Sequence, residues 1–195
     1  MSSLRAVLVH TREVPDEEKG FALLALDRVV GSVVRVVDGG AVGFPTGVRR
    51  RVEPWRGKYQ YLADDLLTVP QQMWTPGSVV LLLTSVDIYT RGMNYIFGLA
   101  TRGAAVISSA RIHPSFWEAL PEMSRYLPED KQFFAQQLGK VVVHEFGHTV
   151  GLPHCERWDC VMRFSNSPFE LYRKGSTFCS DCWMRLLRLV HDLAV

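Results

Sequence analysis

The sequence predicts an α/β (α+β) fold: a twisted, mixed but mostly parallel sheet with helices packed on it, then a small C-terminal part held by cysteines. Three observations predict it. Strand-like and helix-like stretches alternate through residues 1–150, as crossover-connected parallel strands require. Val79–Thr84 is a continuous apolar run of strand length, the pattern of a strand buried on both faces. The cysteines, Cys155, Cys160, Cys179 and Cys182, all fall in a terminal part with few apolar residues before its last helix. A thin core of that kind needs a staple.

The elements follow in order. Leu4–His10, rich in Leu and Val, is a first strand. Pro15-Asp16-Glu17-Glu18 starts a helix, with acids near its positive dipole end. Phe21, Leu24, Leu26, Val29 and Val30 give that helix an apolar side up to Gly31, although Phe21–Leu26 alone also suits a buried strand. Ser32–Val37 is a further strand, closed by a turn at Asp38-Gly39-Gly40. Residues 41–58, with Gly43, Pro45, Gly47, Pro54 and Gly57, form a surface loop. Arg49-Arg50-Arg51 is a solvated charge run; a patch for an anionic partner is the alternative, supported only by Glu53 being the sole acid there.

Tyr59–Thr68 is a helix, and Tyr95–Ala100 and Ala104–Ser108 are strands around Thr101-Arg102-Gly103. Pro114–Pro128 is loop with a short helix. From Glu129 to Val150 the pattern is helical, with Phe134, Leu138, Val141, Val142 and Phe146 on one side. About 20 helical residues span ~30 Å, enough to cross a domain. Ser180–Ala194 is the last helix, turning Leu186, Leu187, Val190 and Leu193 inward. The expected division is residues 1–151, which include the long helix at about 129–150, and residues 152–195.

Composition narrows the function. With 195 residues, 22 Lys+Arg against 20 Asp+Glu and a net charge of +2, a globally basic nucleic-acid coat is excluded. No apolar run approaches the ~18 residues of a membrane span. The start, MSSLRAVLVH, lacks the apolar core and cleavage site of a signal peptide. The default compartment is the cytoplasm, where the cysteines are expected as metal ligands rather than two disulfides.

Residues 144–154 spell HEFGHTVGLPH. His144 and His148, four apart, put both imidazoles on one helix face, where they can share an ion. Glu145, rotated by about 100°, reaches a metal-bound water without ligating. Gly151 can take the left-handed conformation that ends a helix, Pro153 discourages more helix, and His154 can then point back at the first two histidines. Three protein ligands with a water in the fourth place is the catalytic arrangement for zinc. The ion acidifies the water and polarises a carbonyl; Glu145 takes the proton and passes it to the leaving amine. The chemistry is amide hydrolysis. By composition a bare HExxH arises by chance in roughly one such chain in two hundred, and Gly151 with His154 make coincidence several hundredfold rarer.

HExxHxxGxxH followed by a methionine resembles the metzincin signature. Met162 matches the turn methionine that lies beneath the metal in that superfamily. His154-Cys155, then Cys160, Met162 and Cys179-Ser180-Asp181-Cys182, resemble the archaemetzincins, zinc peptidases with a second, four-cysteine zinc site. Tyr61-Leu62-Ala63, Asp87-Ile88-Tyr89 and Phe97-Gly98-Leu99-Ala100 are similar to family segments too. The resemblance implies a metzincin-like zincin, a peptide or protein substrate, and an edge strand within Asn94–Ser109 that pairs with an extended peptide. Phe164, Asn166 and Pro168 would border the specificity pocket.

Independently of the resemblance, Cys155-x4-Cys160 and Cys179-x2-Cys182 can close a tetrahedral thiolate shell, which is structural zinc. Two Zn2+ are therefore expected, held by His144, His148 and His154 and by the four cysteines. In an extended chain consecutive residues face opposite ways, so His154 and Cys155 can serve different ions. His10, His113 and His191 are expected as ordinary strand-end or surface residues, Asp64-Asp65 as a solvated helix face, and Trp158 and Trp183 as cover for the C-terminal core, with a substrate role as their alternative. Two rivals stand beside the peptidase. One is a catalytically silent zinc scaffold or peptide-binding module of the same fold, for which Glu145 would have no use. The other is a nucleic-acid binder using the cysteines and Arg49–Arg51, which leaves Glu145, Gly151 and Met162 unexplained. No nucleic-acid or membrane partner is expected, and the sequence is silent on oligomeric state and cleavage preference.

Overall fold

A computed structural model of the protein describes residues 3–53, 56–117 and 130–194. The strands are β1 (Arg5–Thr11), β2 (Arg35–Val42), β3 (Arg50–Val52), β4 (Tyr59–Leu62), β5 (Ser78–Thr84), β6 (Ile88–Tyr89), β7 (Gly98–Thr101) and β8 (Ala104–Ser108). The helices are α1 (Asp16–Val30), α2 (Ala63–Leu66), α3 (Thr68–Met73), α4 (Pro114–Trp117), α5 (Lys131–Val150), α6 (Pro168–Arg173) and α7 (Ser180–Ala194).

The main sheet has the order β2-β1-β5-β8-β7, parallel except for β7, which pairs antiparallel with β8 at the edge. Every residue of β5 and β8 is buried, as the unbroken apolar runs predict. Alternate side chains serve two cores. Leu81, Leu83, Ala105 and Ile107 meet α1 and α5 through Leu26, Leu138, Val142 and Phe146. Val80, Leu82 and Val106 face Ala63, Leu66 and Ile88 on the other side. The first core continues through Cys160, Val161, Met162 and Leu186, so the cysteine-bearing segment packs on the same interior as the sheet. No helix among the described residues is long and apolar enough to cross a membrane.

Three local expectations are corrected. Asp38-Gly39-Gly40 is not a turn: β2 runs through it to Val42, and the register on β1 shifts between Leu8 and Val9. The glycines serve a bulge, not a reversal. Gly40 has φ +77° and donates its N–H to Asp38 Oδ1 at 2.9 Å, while a Cβ at Gly39 would strike Val7 and Val9. Tyr59–Leu62 is strand, because it pairs with β3 on one side and β6 on the other and buries its alternate residues Gln60 and Leu62; helix begins only at Ala63. Residues 41–58 are not all loop, since β3 lies inside them. The three arginines do lie at the surface as expected, Arg49 and Arg50 exposed and Arg51 half-buried, and each has a partner there. Arg49 pairs with Asp65 at 2.6 Å, Arg50 stacks over Tyr59 and Arg51 over Tyr89, each at 3.9 Å. Of the Pro114–Pro128 segment, α4 is seen, and residues 118–129 lie outside the described ones.

Candidate metal centre and cleft

α5 starts on the side chain of Asp130, which accepts from Gln132 N, and ends at Gly151 with φ +107°. The left-handed glycine lets its own N–H and that of Leu152 fold back onto Gly147 O, and the chain reverses. His154 thereby returns toward His144 and His148. Ligating atoms of the three lie within 4.8 Å of one another, and His144 Nε2 and His148 Nε2 are 3.1 Å apart.

The far edges of two rings are fixed by carbonyls. His144 Nδ1–H donates to Val161 O and His148 Nδ1–H to Leu152 O, both at 2.8 Å. A carbonyl can only accept, so each Nδ1 carries the proton and each Nε2 keeps its lone pair. Two lone pairs that face each other at 3.1 Å repel unless a cation lies between them. Zinc–nitrogen bonds of about 2.1 Å in tetrahedral geometry would place such nitrogens about 3.4 Å apart. Burial, with Lys174 adding to it, pulls His144 well below the ordinary imidazole range, and burial also lowers His148 and His154. The three rings are thus neutral, the ligating state. The donor set fits a divalent ion.

Glu145 is buried beside these rings, and burial pushes its carboxyl up to about 8, with Lys174 acting against the shift. A divalent ion nearby would pull it back down. Its neighbour across the cleft is the edge strand: a Cβ at Gly98 would fall 2.6 Å from the Glu145 carboxyl carbon. Gly147 is likewise bare because Met162 Sδ occupies its side of α5. Gly98→Ala is therefore expected to displace Glu145 and lower turnover by about a hundredfold, the cost of ~1 Å of misplacement, with zinc content unchanged. Steady-state kinetics beside metal analysis checks it.

The four cysteines form the second group, their sulfurs also within 4.8 Å of one another, all as free thiols. Cys155 Sγ and Cys179 Sγ are 3.9 Å apart. A tetrahedral ZnS4 unit with 2.3 Å bonds gives about 3.8 Å, so zinc fits here too. His154 and Cys155 do turn to different clusters. Between the clusters lies Cys160-Val161-Met162, fully buried. It offers a sulfur to one group, Val161 O to His144, and Met162 O to the N–H of Cys155 at 3.0 Å.

A cleft of about 550 Å³ opens over the histidines. Residues 95–102, containing β7, form one rim, and Phe164, Ser165 and Asn166 form the other. Pro168 is not on the cleft; it opens α6 behind Ser167, whose hydroxyl caps Glu170 N. Tyr95 bridges the rims, donating to Asn166 O at 3.0 Å. It lies on the Arg111 guanidinium at 4.0 Å, which is buried against Asp87 at 2.8 Å and Glu53 at 3.5 Å. Glu53, read as a loop acid, is thus interior.

Sequence reasoning missed two lysines. Lys140 lies one helical turn before His144 and donates to Leu171 O and Tyr172 O, at 3.1 and 2.8 Å, at the end of α6. Lys174, just after α6, lines the cleft, donates to Arg163 O at 3.0 Å and sits 3.3 Å from His144 Nδ1. The spacing of 140, 144 and 148 could have marked the first; nothing local marks the second. The expectations for other residues are mixed. His191 is exposed, His113 is half-exposed, and His10 is at the end of β1 as expected, where it is buried. Asp65 is paired, and Asp64 accepts from Thr90. Trp183 packs on the core beside Phe178, whereas Trp158 is 73% exposed.

A profile of peptidase family M54 matches residues 28–188. An archaemetzincin from Methanopyrus kandleri is 37% identical over 129 residues, 66% of this chain and 67% of that protein. The crystal structure of the Methanopyrus kandleri archaemetzincin superposes with a TM-score of 0.77 at 30% identity, over 97% of this chain and 96% of that one. A zinc-dependent peptidase from Methanocorpusculum labreanum shares the fold, with a TM-score of 0.70 at 24% identity over 93% and 99% of the chains.

Proposed function

This chain belongs to peptidase family M54, the archaemetzincin family of zinc-dependent metallopeptidases, and from that premise we propose how its own residues hydrolyse a peptide bond. His144, His148 and His154 hold the catalytic zinc, and Cys155, Cys160, Cys179 and Cys182 hold a second, structural zinc. The observation that carries the reading is the pair of Nδ1–H···O=C bonds that leave Nε2 of His144 and His148 aimed at one point. When bound there, zinc acidifies water and polarises the scissile carbonyl. Glu145, buried against Gly98, accepts a proton from water and delivers it to the departing amine. The exposed edge of β7 receives the peptide backbone by strand addition. Gly151 and Met162 support the ligands, one by turning the chain and one by filling the space under Gly147. The division at residues 1–151 and 152–195 belongs to the same reading, since His154 and all four cysteines follow the turn.

The substrate is a peptide or protein. The test is a broad peptide pool incubated with zinc-loaded and chelator-treated protein and scored by mass spectrometry. We expect two zincs per chain, cleavage by the loaded form only, and recovery when zinc is returned. A loaded protein that cuts nothing, or cleavage that survives removal of both ions, would overturn the assignment.

A further inference from the structure

The cleft beside the three histidines holds a positive charge that hydrolysis as described does not use. Lys174 is 6% exposed and lines the same cavity as Val141, Phe164 and Leu171. An ammonium carries three N–H donors. Arg163 O takes one at 3.0 Å. His144 Nδ1 cannot take another, because its hydrogen points at Val161 O. Glu145 acts on Lys174 through space, but no carboxylate among the described residues forms an ion pair with it.

The other buried cations differ. Arg111 sits between Asp87 and Glu53. Lys140 donates to two carbonyls at the negative end of a helix. A buried charge without a full set of partners is costly, and this one lines the cleft over the histidines. It sits at the Nδ1 edge of His144, the side of the ring opposite Nε2, and lines the cavity there. The walls are apolar, so a short chain with an anionic tip fits both parts.

Resting on the peptidase reading, we infer that Lys174 is a specificity-determining residue that receives a carboxylate of the substrate residue filling this cavity. The carboxylate has two sources, the side chain of Glu or Asp or the free end of the chain. It displaces the water that solvates the ammonium and completes the donor set.

The test uses acetylated, amidated peptides identical except for one central Glu or Gln, and a third peptide that ends in a free carboxylate at that position. Cleavage is measured on the zinc-loaded wild type, and binding by fluorescence anisotropy on the zinc-loaded Glu145→Gln protein. Each measurement is repeated with Lys174→Met and Lys174→Arg. We expect a Glu-to-Gln preference of about tenfold or more in both readouts, the size of a charge-assisted hydrogen bond. It should fall to within about twofold in Lys174→Met and persist in Lys174→Arg. Each ratio is internal to one protein, so partial unfolding or metal loss cancels. A matching preference for the third peptide assigns the chain end; preference for Glu alone assigns the side chain. Equal handling of all three peptides, or a preference untouched by Lys174→Met, overturns the inference while leaving the peptidase reading in place. Wild type that cuts no peptide counts against the peptidase reading instead, and the binding ratio still decides the role of Lys174.

Discussion

Glu145→Gln is expected to lower kcat by a factor of about 10²–10⁴, the usual contribution of a positioned general base. That corresponds to roughly 3–5 kcal/mol of lost transition-state stabilisation. The substitution keeps the shape that fits against Gly98, so zinc content and melting temperature should stay at wild-type values. KM should move little, because the side chain interacts with the proton in flight and not with the resting substrate. The measurement is steady-state kinetics on a peptide found in the pool, beside metal analysis of the same sample. Equal turnover in the two proteins would take the proton-transfer role away from Glu145.

Cys179→Ser is expected to act on both metal groups. Losing one of four thiolates weakens a closed site whose binding energy is also folding energy, so we expect a stability loss of about 5 kcal/mol or more. The damage should not stay local. Val161, whose carbonyl orients His144, lies between Cys160 and Met162, and its N–H is bonded to Thr177 O at 2.8 Å, two residues before Cys179. Zinc affinity at the three histidines should therefore fall by about ten- to a hundredfold, as it does when an outer partner of a ligand is lost. Chelator titration followed by denaturant unfolding separates the two effects. A variant with unchanged histidine-site affinity would show the two groups to be independent.

The legible parts of this protein are those set by local spacing. HExxH on a helix, a glycine that ends the helix and two cysteine pairs are matters of a few residues each, and the structure gathers them as the spacing implies. The long buried strands were equally plain, since β5 and β8 are apolar at nearly every position. What escaped depends on distant chain. Lys174 is ordinary in sequence and becomes special only because α6 brings it behind His144. Gly98 is one glycine among fifteen until Glu145 is placed across from it. Asp38-Gly39-Gly40 has the composition of a turn, and the strand uses that freedom for a bulge. The arginines at 49–51 are surface charges, as they look, but their partners Asp65, Tyr59 and Tyr89 come from other parts of the chain.

The run from His154 to Met162 is anchored at both ends, and at Cys155 and Cys160 between them. Its length is therefore inelastic. One added residue there would carry an imidazole or a sulfur off its mark, whatever its identity. The stretch from Phe164 to Phe178 carries no ligand of either group and meets the histidines only through side chains, the Phe164 ring 5.2 Å from that of His154 and Lys174 beside His144, so its side chains can change more freely. Diversification of this scaffold toward new substrates has its room on that second stretch.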